Sequence, residues 1–218
     1  MSYKALPLTE ELHGYLLAHC TPPDDVTADL IAETRAALPE NAGMQVASEQ
    51  AAFLRMLTTV MGVLRAVEVG TFTGLSALSI ARGLAEGGQL TCFDISEEFT
   101  DVARRYWKRA GVEDRIELRI GNAAERLREL PTEPHLDLAF IDANKTGYAA
   151  YWAELVPRMR TGGVLLVDNV LWEGRVLDPQ SDDDRAIVAF NEAALADPRV
   201  ELVMLPIADG LTMARRLP

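Results

Sequence analysis

Residues 65–95 read RAVEVGTFTGLSALSIARGLAEGGQLTCFDI, and the changes of pattern within them decide the fold. The runs at 65–70 and 89–95 are short and mainly apolar, and the stretch from Leu75 to about Ala85 has the length of a helix. Strand, glycine turn, helix and second strand within about thirty residues make a β-α-β unit. Strands apolar on both faces belong in a parallel sheet covered on both sides.

The same alternation continues toward the C-terminus, with RIELRI at 115–120, LDLAFIDA at 136–143, GVLLVDN at 163–169 and VELVMLPI at 200–207. Toward the N-terminus the pattern is helical. Thr9 can cap a helix through about Cys20, Asp24 or Asp25 a second through about Leu38, and Ser48 a third through about Met61, with Pro22, Pro23, Pro39 and Gly43 between them. No internal repeat, low-complexity tract or linker interrupts the chain, so residues 1–218 read as one α/β domain with 1–61 as a helical cap on the sheet.

Composition narrows the partners. The chain has 218 residues, 49% hydrophobic and 25% charged, enough for one sizeable core. A formal charge of -12 and the absence of a basic block argue against nucleic acid, whose phosphates are held mainly by clustered Lys and Arg. The N-terminus lacks the charged start and apolar stretch of an export signal, and no run of about 18 apolar residues marks a membrane span. Cys20 and Cys92, read on a helix and a strand, are expected as two buried free thiols in a reducing cytoplasm.

In an open α/β sheet, ligands collect outside the carboxyl ends of the strands. There the sequence places Glu68 and Gly70, Asp94, Asp142, and the pair Asp168-Asn169. The turn Gly70-Thr71-Phe72-Thr73-Gly74 lacks the closely spaced glycines of a dinucleotide fingerprint, which disfavours a pyrophosphate and with it a nicotinamide oxidoreductase. Asp94, about twenty residues after that turn, is placed to accept from ribose hydroxyls; its structural alternative is a cap on the following helix. Asn122-Ala123 can pass beside an adenine ring, although Asn122 serves equally well as a helix cap. Asp142, Asp168 and Asn169 on adjacent strand ends offer an all-oxygen site, suited to Mg²⁺ or another hard cation such as Mn²⁺ or Ca²⁺.

The motifs VEVGTFTGLS (67–76), FIDANKTGY (140–148), GGVLLVDNVLWEGRV (162–176) and DGLTMARR (209–216) resemble those of the cation-dependent O-methyltransferase family, which includes caffeoyl-coenzyme A and catechol O-methyltransferases. The likeness runs from about Met44 to the end. It implies a Rossmann-like doubly wound sheet of seven mostly parallel strands, helices on both faces, the last strand antiparallel, and a homodimer. It implies S-adenosylmethionine as donor, bound by Val46, Glu68, Gly70, Thr71, Ser76, Asp94, Ala123 and Asp142. The metal falls to Asp142, Asp168 and Asn169, catalysis to Lys145 as base together with Asp142, and the acceptor to Lys145, Asn169 and Glu173. Two positions depart from plant members: Asn144 replaces an Asp, and Glu173 replaces an Asn near the acceptor.

The implied reaction moves a methyl group in line from a sulfonium to a deprotonated hydroxyl. A catechol suits it, because vicinal hydroxyls can chelate a divalent ion that stabilises their anion. A lysine takes up a proton only when neutral, a state that desolvation or a nearby cation favours. Lys4 is the one cation near the N-terminus, so a small free phenol is expected rather than a coenzyme A thioester. Competing readings are the oxidoreductase above, a nucleic-acid methyltransferase, and a binding protein that keeps the donor pocket without catalysis.

Overall fold

The computed structural model describes residues 6–218, so Lys4 lies outside the described residues. Seven strands, β1 (Arg65–Val69), β2 (Gln89–Asp94), β3 (Ile116–Ile120), β4 (Leu136–Ile141), β5 (Met159–Val167), β6 (Val200–Leu205) and β7 (Leu211–Arg216), form one sheet ordered β3-β2-β1-β4-β5-β7-β6. The first five are parallel, and β7 runs antiparallel to both β5 and β6. The helices are α1 (Glu10–Ala18), α2 (Asp25–Ala37), α3 (Ser48–Met61), α4 (Leu75–Gly83), α5 (Glu97–Arg109), α6 (Ala123–Arg126), α7 (Tyr148–Leu155) and α8 (Asp182–Leu195).

Period-two alternation in the central strands feeds two cores. From β4, Ala139 and Ile141 join Val67, Val69, Leu165 and Val167 under Trp152, Leu155, Ile187 and Phe190 of α7 and α8. Leu138 and Phe140 face the other way, with Ala66, Leu90, Cys92 and Leu166, against Leu54 of α3, Leu78 and Ile80 of α4 and Trp107 of α5. Every residue of β4 is buried, which explains its largely apolar run; the exception, Asp137, accepts from Leu64 and Arg65 N–H, each at 2.8 Å.

The three N-terminal helices attach very differently. Thr9 caps α1, accepting from Leu12 N–H at 3.3 Å, yet α1 buries none of its residues; a contact from His13 Nε2 to Glu49 Oε1 at 3.1 Å ties it to α3. Asp24 caps α2 and pairs with Arg82 of α4, while Asp29 and Glu33 pair with Arg109 and Arg105 of α5. In α3 the buried residues Gln50, Ala51, Leu54 and Thr58 share one face. Ser48 is the first residue of α3 rather than its cap; that position falls to Ala47, which supplies no side-chain bond.

The pairing of cysteines as two buried thiols is corrected in one half. Cys92 is buried in β2, whereas Cys20 lies beyond the end of α1 and is exposed. Because α1 packs no face into the core, its C-terminal flank stays in solvent. No helix among the described residues is long and apolar enough to cross a membrane.

Candidate active site

Strand register gathers the unusual residues. Val69 pairs with Phe93 on one side and Ile141 on the other, and Ile141 pairs with Val167. The residues that follow, Asp94, Gly70, Asp142 and Asp168, therefore form a row along the carboxyl edge of β2, β1, β4 and β5. The ladder carries on past the strand ends through Gly70 N–H to Phe93 O (2.9 Å), Asp142 N–H to Val69 O (2.8 Å) and Asp168 N–H to Ile141 O (3.0 Å).

This row floors a cleft of about 1030 Å³, at the upper end of ordinary small-molecule sites. Val46, Gly70, Thr71, Ser76, Asp94, Ala123, Asp142, Lys145, Asp168, Asn169 and Glu173 all line it. Glu68 is the one residue of the expected set that does not, being fully buried beneath the turn.

Gly70 is required by the protein's own backbone. Its φ is +92°, and a Cβ there would lie 1.9 Å from the carbonyl oxygen of Asp142, so the glycine lets two strand ends close on each other. The carboxylate of Asp94 clamps the same turn. Its Oδ2 accepts from Thr71 and Phe72 N–H, each at 2.8 Å, and its Oδ1 from Ser96 N–H at 2.8 Å. The cap of α5 is Ser96, not Asp94. Below, Thr71 Oγ1 donates to Glu68 Oε2 at 3.1 Å, and Glu68 Oε1 has no partner. Burial drives the Glu68 carboxyl up to about 8, against the Thr71 hydrogen bond and the nearby Ser76 hydroxyl and Cys92 thiol, which favour its anion. Asn122 caps α6 through Ala124 N–H at 2.9 Å and leaves Ala123 lining the cleft.

The other half of the row is more crowded. Lys145 lies in a 3-10 turn after β4, with its side chain buried. Its Nζ donates to Tyr148 Oη at 2.6 Å, Asn169 Oδ1 at 2.6 Å and Asp142 Oδ1 at 3.2 Å. Asp168 is buried, with Oδ1 accepting from Asn169 N–H at 2.8 Å. Desolvation raises both Asp142 and Asp168, for Asp168 with added repulsion from Asp142. Lys145 opposes the shift in each, and the Gln50 amide favours the Asp168 anion, although Gln50 Nε2 has no hydrogen-bond partner of ordinary geometry. Burial near the same two carboxylates holds the Tyr148 phenol well above its usual range, so it remains a hydroxyl.

Backbone strain marks the cleft as well. The non-glycine residues with positive φ among those described are Phe72 (51°), Asn169 (55°), Trp172 (48°), Glu173 (52°) and Ala208 (46°), and all five line it. Such conformations persist where surrounding structure enforces them, and they concentrate at ligand sites. Trp172 and Ala208 were not candidates from sequence, because nothing in their identity signals a left-handed backbone. Tyr148 was quoted within a motif without a role. Its spacing of three from Lys145, at the start of a helix, is the local signal that the two share a face.

The fit of a divalent cation can be judged from the chain itself. Among the described residues no group of three or more His, Cys, Asp or Glu is gathered for a metal; the third oxygen donor here is an amide, Asn169. Two neighbouring carboxylates, of which Asp168 is buried and raised by Asp142, and the Lys145 amine already between the oxygens of Asp142 and Asn169 make a place that favours positive charge. The donors are all oxygen, as hard cations prefer.

A seven-stranded doubly wound sheet with an acid-ended β2, a glycine turn and an oxygen cluster along one strand edge has the form of a nucleoside-binding α/β fold. The chain belongs to the O-methyltransferase family, whose model matches residues 21–217. It is 36% identical over 210 residues to "Probable caffeoyl-CoA O-methyltransferase 1" of Dictyostelium discoideum, covering 94% of this chain and 91% of that protein. It is 37% identical over 230 residues to "Tricin synthase 2" of Oryza sativa subsp. japonica, covering 99% of this chain and 78% of the other. Among solved structures, the Bacillus cereus O-methyltransferase in complex with SAH superposes with a TM-score of 0.85 at 32% identity, over 94% of this chain and 97% of that one. A SAH-bound methyltransferase of Podospora anserina gives 0.89 at 26% identity over the full length of both. The protein is an S-adenosylmethionine-dependent O-methyltransferase.

Proposed function

We propose that this enzyme methylates one hydroxyl of a small catechol-like phenol, using a divalent cation held by Asp142, Asp168 and Asn169 and Lys145 as the base. The observation that carries this reading is Lys145 Nζ bonded to both Asp142 Oδ1 and Asn169 Oδ1 on the cleft floor. The amine thereby stands among the proposed ligand oxygens, where an acceptor hydroxyl must lose its proton.

In this reading Val46, Gly70, Thr71, Ser76, Asp94 and Ala123 hold the donor over the β1 and β2 ends, with Asp94 turned toward its ribose. A bound Mg²⁺, Mn²⁺ or Ca²⁺ would lower the pKa of an acceptor hydroxyl and hold vicinal oxygens in one orientation. Lys145 removes the proton, Asn169 and Glu173 border the acceptor, and the strained loop through Trp172 walls it from water. Glu68 acts from below, through Thr71 and the turn, rather than by facing the cleft. The whole chain is read as one domain, working as a cytoplasmic homodimer.

The test is a mass-spectrometric assay with S-adenosylmethionine, Mg²⁺ and matched pairs of catechols and monophenols. Catechols should be methylated far faster. Equal rates with each member of a pair would remove chelation from the reading.

A further inference from the structure

Tyr148 has no part in the proposed chemistry, yet it is among the largest side chains sealed in the molecule. Its ring is fixed edge-to-face against Phe190 of α8, with centroids 5.5 Å apart at 86°. Its hydroxyl has two partners: it donates to the Asp168 carbonyl oxygen at 3.1 Å and accepts from Lys145 Nζ at 2.6 Å. The Lys145 Nζ also lies 4.8 Å from the centre of the Tyr148 ring and 5.3 Å from that of Trp172.

A lysine carries its amine on a flexible four-carbon stem, and an unanchored amine would sample much of the cleft. Asp142 and Asn169 are the other two partners, and in the proposed function both turn toward a cation. Tyr148 is the partner that such a cation leaves in place. Because its proton is committed to Asp168 O, its free lone pair faces Lys145, and it ties the amine to the backbone that presents Asp168 and Asn169.

We infer that Tyr148 is a positioning residue for methyl transfer, holding the Lys145 amine at the acceptor oxygen in fixed relation to the Asp168-Asn169 turn. The inference rests on Lys145 being the base.

The deciding experiment is a double-mutant cycle between Tyr148→Phe and Lys145→Ala, with catechol, S-adenosylmethionine and Mg²⁺. Tyr148→Phe keeps the ring and its contact with Phe190 and removes only the hydroxyl. It should lower kcat about tenfold, the size expected for one hydrogen bond to an amine, while acceptor KM and calorimetric donor affinity stay within about twofold. On the Lys145→Ala background the same change should cost nothing further. Equal losses on both backgrounds, or a raised acceptor KM at unchanged kcat, would overturn the positioning role. Full activity in Lys145→Ala alone would overturn the base and this inference with it.

A readout independent of turnover uses the wild-type enzyme and acetic anhydride, with peptide mapping of the labelled lysines. Lys145 should label at least about tenfold more slowly than exposed Lys108, as expected for an amine with both its exposure and its freedom removed. In Tyr148→Phe it should label several-fold faster, with Lys108 unchanged. Equal labelling of the two lysines in the wild type would overturn the inference without any variant.

Discussion

The two halves of the cleft are built from the same materials and finished differently. On the donor side, the carboxylate of Asp94 already accepts from three backbone N–H groups. On the acceptor side, strand register sets Asp142 beside Asp168, desolvation raises both, Asp142 raises Asp168 further, and the buried Lys145 amine contacts Asp142. The donor half is thus a settled structure in which an acid shapes a turn. The acceptor half is electrostatically incomplete, and that difference is what the proposed cation and base would use.

The largest expected effect breaks the acceptor half alone. Asp168→Ala or Asn169→Ala should lower turnover by ~10² to 10⁴-fold, the several kcal/mol of charge stabilisation that a bound metal supplies. Donor affinity by calorimetry should survive. Chelator should reproduce the loss in the wild type, and re-added Mg²⁺ should restore it. Full turnover after exhaustive chelation, with metal content verified by elemental analysis, would remove the metal from the site.

Next comes the base. Lys145→Ala should reduce kcat by the ~10² to 10⁴-fold typical of general-base loss, with metal binding by calorimetry little changed. Raising the pH should rescue it in part, because hydroxide can take the proton that Lys145 no longer takes. A variant whose rate deficit is the same at every pH would argue that the amine acts by charge alone.

A smaller effect tests the donor half. Asp94→Ala should weaken S-adenosylmethionine binding by about 1.5 to 3 kcal/mol, as for a lost hydrogen bond to a charged group. It should also lower the Tm of the ligand-free protein, since Thr71 and Phe72 N–H lose their acceptor. A lower Tm with unchanged affinity would leave Asp94 as a clamp on the turn and take it out of the ribose site.

The last test is one of pH, and it reads stability rather than turnover. The Glu68 carboxyl rises from an ordinary 4.5 to about 8 on folding, so between those values the native chain binds more protons than the unfolded one. Its contribution to stability is therefore most favourable below the unfolded value and is lost as pH rises through the folded one. The Tm of the ligand-free enzyme should fall from about pH 5 to about pH 9, and Glu68→Gln should flatten that fall. Parallel Tm curves for wild type and variant would show that Glu68 does not titrate in this range.

Much of this was legible in the chain. The β-α-β pattern of 65–95, the acids at the ends of β2, β4 and β5 and the caps Thr9 and Asp24 are local signals, because strand and helix periodicity and N–H capping depend on near neighbours. The reading of Cys20 as buried failed for a nonlocal reason: whether a helix end is covered depends on what α1 packs against, and it buries nothing. Glu68 and Asp94 were both read as donor contacts. Only the fold shows that one is sealed under the turn while the other spends its oxygens on backbone N–H groups.

The sequence by itself determined the element types, the two-faced sheet and the identity of the residues that reach the strand ends, since each is written in spacing and polarity along a few residues. The tertiary structure alone decided that Val69, Ile141 and Val167 lie in one register. From that follow the row of Gly70, Asp142 and Asp168, the approach that forbids a Cβ at Gly70, and the hold of Tyr148 on Lys145. These depend on contacts between segments far apart in the chain, which burial and strand pairing impose together and no short stretch encodes.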